Sequence, residues 1–254
     1  MNTTHPKPRA QQISKALLLA VALAVFVAVG CSKSSGTEAD SVRAEPIATT
    51  TPVPTVTAPE AVALSRDAMA ELASFRFELT HDSGFTALAG GLELSRASGL
   101  VAQNGLDLEA EAKFGRAFVR IEAIVIDEQT WMTNPLTGAW SEIPPEESPF
   151  SFLDPVKLVA DILGDTRDAV YLDGPNSNNE LTITGRLPAT TLAALVGSVD
   201  PDAVPAVTLS LSADTYLLNR IVIFGVAQRE DDENTIRVIT LSEFDKPVSL
   251  EPPI

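Results

Sequence analysis

From residue 106 to residue 114 apolar and charged positions alternate without a break. Leu106, Leu108, Ala110, Ala112 and Phe114 share one parity, and Asp107, Glu109, Glu111 and Lys113 take the other. A period of two sends these sets to opposite faces of a strand. Gly115-Arg116 ends the pattern, and the apolar run Ala117–Asp127 follows, with Phe118, Val119, Ile121 and residues 124–126. The pair predicts a hairpin in an antiparallel sheet. Phe75, Phe77 and Leu79 alternate with Arg76, Glu78 and Thr80 in the same way. Further strands are predicted at Thr86–Leu94, Thr130–Thr133, Ala169–Leu172, Glu180–Leu187, Val207–Ala213, Leu217–Val226 and Thr235–Phe244. Helical spacing is rarer. It is incomplete over Pro59–Leu72, clearer over Pro155–Leu163 behind Asp154, and short over Thr190–Val196 between Pro188 and Gly197. About ten strands and two or three helices predict a mostly antiparallel α+β domain, whose apolar sheet face needs a cover.

The beginning of the chain has another pattern. Lys7, Arg9 and Lys15 precede the uncharged stretch Ala16–Gly30, which runs directly into Cys31. A basic start and a short apolar core are the marks of a secretory leader. As a helix the core would rise roughly 22 Å, short of a hydrocarbon layer of about 30 Å, so a spanning anchor is the poorer reading. Ala28-Val29-Gly30-Cys31 resembles the lipobox of bacterial lipoproteins, with Ala28 where Leu is usual. The resemblance implies cleavage before Cys31, a diacylglycerol on its thiol and a membrane anchor; paired acyl chains hold where one exchanges. The alternative is a secreted protein cut elsewhere, with Cys31 an incidental thiol. As the single cysteine, Cys31 has no partner for a disulfide within the chain. Residues 32–60 are rich in Ser, Thr, Ala and Pro and lack an apolar period, which reads as a tether spanning about 30 Å. The expected organisation is a signal peptide over 1–30, a lipidated tether over 31–60 and one folded domain over 61–254.

Charge narrows the partners. Of 254 residues, 34 are acidic and 18 basic, a net charge of −16. Loss of the leader removes bases only. Such a surface gives no case for nucleic acid and is repelled by an anionic membrane, so attachment falls to the anchor. His81 is the only imidazole beyond the leader, in a His-Asp-Ser-Gly stretch that reads as an exposed turn. The run Asp231-Asp232-Glu233 reads as a solvated connection between strands. No Ser occupies a nucleophile-elbow pattern, Gly90-Gly91 opens no phosphate loop, and no His/Cys cluster can form. The expectation is a protein without catalytic residues, metal or cofactor. Trp131 and Trp140 bracket Asn134-Pro135 and Thr137-Gly138, turn formers at a hairpin end. Either ring could line an opening or pack on the sheet core.

Several stretches together resemble the LppX/LprA/LprF/LprG family of lipoproteins found in mycobacteria and other bacteria. They are Ser74-Phe75-Arg76-Phe77-Glu78-Leu79, the segment Trp131–Trp140 with its Pro-Leu-Thr-Gly-x-Trp turn, Asp154-Pro155, and Gly185. The closing Leu241-Ser242-Glu243-Phe244-Asp245-Lys246-Pro247-Val248, followed by Pro252-Pro253, is the most diagnostic. The resemblance covers roughly residues 64–254. It implies a strongly curved antiparallel sheet forming an open half-barrel with helices on the concave side. It also implies an extracytoplasmic, membrane-anchored protein that binds or carries acylated lipids or glycolipids in an apolar cavity.

On that footing the cavity-lining candidates, by strand phase, are Phe75, Phe77, Leu79, Leu106, Leu108, Phe114 and Leu209. Phe118 and Ile121 join them from a run of unclear phase, and Ala110 and Ala112 are small enough to leave room. Trp131 and Trp140 are the entrance candidates. A non-covalently held lipid is the expected ligand, an envelope transporter a conceivable partner and a monomer the expected state. The competing function is a surface module, structural or protein-binding, with the same anchor but a filled core.

Overall fold

The computed structural model describes residues 56–254, apart from 128, 145, 146, 149, 151 and 152. The leader, Cys31 and most of the tether lie outside the described residues.

The first helix, α1 (Ala58–Ala70), begins inside the stretch read as tether because its start is well capped. Thr57 accepts from the Glu60 amide, and the Glu60 carboxylate accepts from the Thr57 amide at 2.8 Å. The chain then enters β1 (Ser74–Ser83), β2 (Thr86–Leu88), β3 (Leu92–Ala102), β4 (Gly105–Phe114), β5 (Ala117–Ile126), β6 (Gln129–Thr133) and β7 (Trp140–Ile143). Helix α2 (Pro155–Asp165) leads to β8 (Arg167–Asp173) and β9 (Glu180–Arg186). A 3-10 turn and the one-turn helix α3 (Ala193–Val196) precede β10 (Ala206–Ser212), β11 (Leu218–Phe224) and β12 (Ile236–Ser242).

All twelve strands belong to one antiparallel sheet, ordered β7-β6-β5-β4-β3-β1-β12-β11-β10-β9-β8, with β2 beside β3. The half-barrel expectation is corrected here: the sheet is neither closed nor strongly curled, and its edges β7 and β8 do not pair. Closure demands edges that match over a full stagger. Here β7 has only four residues, and β8 slips twice in register against β9.

The helices lie on one face of the sheet, and the core is the layer between. Phe75, Phe77 and Leu79 from β1 meet Leu106, Leu108 and Ala110 from β4, with Leu209 and Ile239 from the other half. Helix α2 joins them through Pro155, Leu158, Val159, Ile162 and Leu163, the spacing of one helical face. Asp154 starts that helix by accepting from the Lys157 amide at 2.9 Å, with Pro155 at the first position, where its missing N–H costs nothing.

The expected strand Thr86–Leu94 divides into β2, a glycine-bearing turn and the start of β3. A bulge between Leu94 and Arg96 reverses the phase of β3, so Leu94 and Ala97 face the same way although three residues apart. Strand β7 adds a further element beyond those expected.

Candidate functional site

The apolar layer under α2 is the candidate site, and its floor is cut from small residues. On β3 the positions facing the helices are Val101, Gly99 and Ala97; on β4, Ala110 and Ala112; on β5, Ala123. Gly99 is there because Phe77 lies against it. A Cβ at Gly99 would stand 2.8 Å from the Phe77 ring and 2.2 Å from the Asp107 carbonyl oxygen. The Phe77 ring therefore lies down over its neighbour strand, under α2.

Between this floor and α2 lies an apolar pocket of about 20 Å³, bounded by Phe77, Leu94 and Ala97 below and by Leu158, Val159 and Phe150 above. That is room for about one water molecule. At Val159 the pocket adjoins a groove of about 150 Å³ between α1 and α2, lined by Met69, Ala70, Phe75 and Val156. A second groove of about 290 Å³ shares Ala70, Phe75 and Val156 and continues past the ends of β1 and β3. Val159 thus borders both the interior pocket and the groove between α1 and α2, and the exposed Val156 lines the groove alone.

The residues singled out in the sequence fall in three places. Phe75, Phe77, Leu79, Leu106, Leu108, Ala110, Ile121 and Leu209 lie in the core, and Ala112 is buried on the same face. Phe77 and Leu79 border the interior pocket and Phe75 the grooves. Phe114 keeps the inward phase but stands at the hairpin end, beyond the helices, and is 56% exposed. Phe118 pairs with Lys113 and so occupies the opposite face from Ile121, 82% exposed; it cannot line the interior. Trp131 pairs with Ile124, while Met132 pairs with the core residue Ala123. Both Trp131 and, two pairs along the same phase, Trp140 therefore stand on the face turned away from the helices. Trp131 is buried there and Trp140 half-buried.

A second cluster was not foreseen. The Arg237 side chain is fully buried, and it binds Asp231 through Nη2–Oδ1 at 2.7 Å and Nη1–Oδ2 at 2.9 Å. Nη2 also donates to the Phe85 carbonyl and to Gln228 Oε1. Nε donates to Thr86 Oγ1 at 2.9 Å. Gln228 in turn donates to the carbonyls of Ala87 and Val196. Asp231 Oδ2 accepts from the amides of Ala227 and Gln228, both at 2.8 Å. Asp231 is thus no solvated turn residue, although its neighbours Glu230, Asp232 and Glu233 are exposed. His81 is likewise no turn residue. It sits in β1 opposite Arg237, with Nδ1 3.0 Å from the Ser95 carbonyl and Nε2 3.0 Å from Thr86 Oγ1. A carbonyl only accepts, so Nδ1 carries the proton and Nε2 accepts from Thr86. Burial, with the Arg237 charge adding to it, holds the His81 pKa below its ordinary value against the pull of the Ser95 carbonyl. Each of these polar groups is satisfied from within the protein, so the cluster clasps β1, β2, β12 and α3 and offers no group to a substrate. One signal pointed to it: Arg237 shares strand phase with Ile239 and Leu241, where a charge belongs only if it is paired.

Among the described residues no group of His, Cys, Asp and Glu could hold a metal, and no helix is long and apolar enough to cross a membrane.

The site is thus an apolar layer between α2 and the sheet, and no charged side chain lines its interior pocket. The chain belongs to the LppX_LprAFG lipoprotein family, whose model matches residues 57–250. It is accordingly an extracytoplasmic, lipid-anchored protein and not an enzyme. The fold is similar to that of LprF from Mycobacterium bovis, at 17% identity and a TM-score of 0.57, over 77% of this chain and 96% of that one. It is also similar to lipoprotein LppX from Mycobacterium tuberculosis, at 17% identity and a TM-score of 0.53, over 76% of this chain and 97% of that one. No curated protein matches the chain.

Proposed function

We propose that the protein binds acylated lipid between α2 and the sheet and carries it outside the cytoplasmic membrane, held to that membrane through acyl chains on Cys31. The observation that carries this reading is the apolar pocket on Phe77, which shares Val159 with the groove lined by exposed Val156. Membership of the family supports it.

The pocket of about 20 Å³ is far below the roughly 300–1,000 Å³ of a ligand site, so binding requires α2 to lift from the sheet. The energetics permit this. Helix α2 buries Leu158, Val159, Ile162 and Leu163, and each such side chain is worth about 1.5–3 kcal/mol, or about 6–12 together. An acyl chain with about 12 buried methylenes returns about 10 kcal/mol at about 0.8 each. The chain would replace the contacts that the helix gives up. Phe77, resting on Gly99 without a side chain beneath it, is the floor on which such a chain would lie.

The small resting volume favours one other reading, a structural or protein-binding surface lipoprotein with a filled core. Mass spectrometry after gentle extraction from native envelope lipids decides between them. Carriage gives a stoichiometric co-purifying lipid, and Val156→Asp, a change at an exposed position, lowers its retention severalfold while the melting temperature stays put. A protein that retains and exchanges no envelope lipid is the filled module.

A further inference from the structure

Three turns open toward one end of the sheet: β3 starts there, β4 ends and β5 starts there, and the turn between β6 and β7 opens the same way, set back at the level of Glu122. They are the turn Ala89–Gly91, the tip Phe114–Phe118 and the turn 134–139. In a chain with 34 acidic residues, the segments 84–92, 112–121 and 133–141 at this end contain no Asp or Glu, although Glu111 stands across from Arg120. They do contain Lys113, Arg116 and Arg120. Arg120 is tied to Glu109 at 2.5 Å, whereas among the described residues neither Lys113 nor Arg116 makes an ion pair. Glu93 is the carboxylate across the strand from Lys113. The same end carries three large apolar side chains in water: Phe114, Phe118 at 82% and Leu136 at 87% exposed. Phe114 and Phe118 leave the tip on opposite faces of the sheet, so no single packing event within the domain could cover both.

We infer that this end of the sheet is a membrane-contact site, at which Phe114, Phe118 and Leu136 enter the interfacial region of a bilayer while Lys113 and Arg116 meet anionic headgroups. The occupant follows from charge and from place. Most of the protein repels an anionic surface, whereas at this tip Lys113 and Arg116 outnumber the carboxylate of Glu93 across from them. A lipid anchor keeps a bilayer within reach, so a weak contact is made at high local concentration. Aromatic and leucine side chains beside cations are the composition of elements that lie in the interface. The inference does not depend on lipid carriage; it requires only the anchored state of the family. It gives the domain a preferred orientation at the end of its tether.

The test uses the full-length protein anchored in vesicles, with Phe118→Trp as a probe and the parent chain as the fluorescence blank. In vesicles of phosphatidylglycerol and phosphatidylcholine with brominated acyl chains, the added indole emission should move to the blue and fall by roughly twofold, as for an interfacial ring. Adding Lys113→Glu and Arg116→Glu, or raising the salt, should restore it. Emission that matches the same protein on unbrominated vesicles overturns the inference. Quenching that is equal in pure phosphatidylcholine, or that survives the double charge reversal, overturns the anionic surface as the partner.

Discussion

The guanidinium of Arg237 and the carboxylate of Asp231 meet in parallel, through bonds of 2.7 and 2.9 Å, with both side chains shut off from water. One stands in β12, the other in the connection that precedes it, and the pair closes that connection onto β2. Asp231→Ala leaves the guanidinium buried without its counter-charge, an error that costs about 3–5 kcal/mol. The same change frees two amides that Oδ2 had satisfied. Arg237→Met leaves the buried Asp231 carboxylate with only its two amide donors and should cost a similar amount, about 3–5 kcal/mol. Denaturant unfolding of the two variants and of the double variant should give strongly non-additive losses; additive ones would mean that the two groups act independently.

His81 gives the fold a sensitivity to mild acid. Its folded pKa lies below the ordinary value of 6.5, so the unfolded chain takes the proton first. Stability is therefore full above the unfolded pKa and falls as the pH drops from there through the lowered folded pKa. Protonation would also place a cation opposite Arg237 and turn away the Thr86 hydroxyl. The melting temperature should decline from about pH 7 to about pH 5, and His81→Asn should flatten the decline relative to the parent. An unchanged slope would remove His81 from the account.

The hydroxyl of Ser65 on α1 is buried and has no hydrogen-bond partner among the described residues. An unsatisfied polar atom of this kind costs about 1–3 kcal/mol. Ser65→Ala should raise the melting temperature by about 2–4 °C per kcal/mol gained, read by calorimetry. A lower melting temperature would mean that the hydroxyl has a partner after all.

Gly99→Ala should destabilise the domain by about 1–3 kcal/mol, since its Cβ would press on the Phe77 ring and on the Asp107 carbonyl. Phe77→Leu in the same chain should recover part of the loss, as the ring contact disappears and the backbone contact remains. A double variant no better than Gly99→Ala would place the whole cost on the backbone.

Much of this architecture could be read from alternation. The hairpin of β4 and β5 stood out because Asp107, Glu109, Glu111 and Lys113 mark one face so clearly. The cap of α2 stood out because Asp154-Pro155 is a strong local signal. The second half of β3 did not, since its inward residues are Ala97, Gly99 and Val101 and a bulge at Ser95 resets the count. The same weakness hid the side of Phe118, whose neighbours are apolar on both faces until the register with Lys113 decides. Asp231 and His81 were misplaced for a different reason. His81 is held by strands more than a hundred residues apart, which leave no local trace, whereas Asp231 is only six residues from Arg237 and was marked solely by the inward phase of that arginine. The width of the space under α2 was equally out of reach, because it is set by how Phe77, Leu158 and Val159 pack against one another, which strand phase does not encode. The curved half-barrel was an inference from resemblance, and the edges β7 and β8 are too short and too irregular to support it.

Those edges set how the interior could change size. A sealed barrel can swell only by tearing a ladder of hydrogen bonds around its seam, a cooperative and slow event. A sheet with two free margins can splay by adding a few degrees of twist between neighbours, keeping each ladder intact. The brevity of β7 and the slips in β8 deter strand addition from another copy. Compliance without stickiness is the bargain that an unsealed sheet makes.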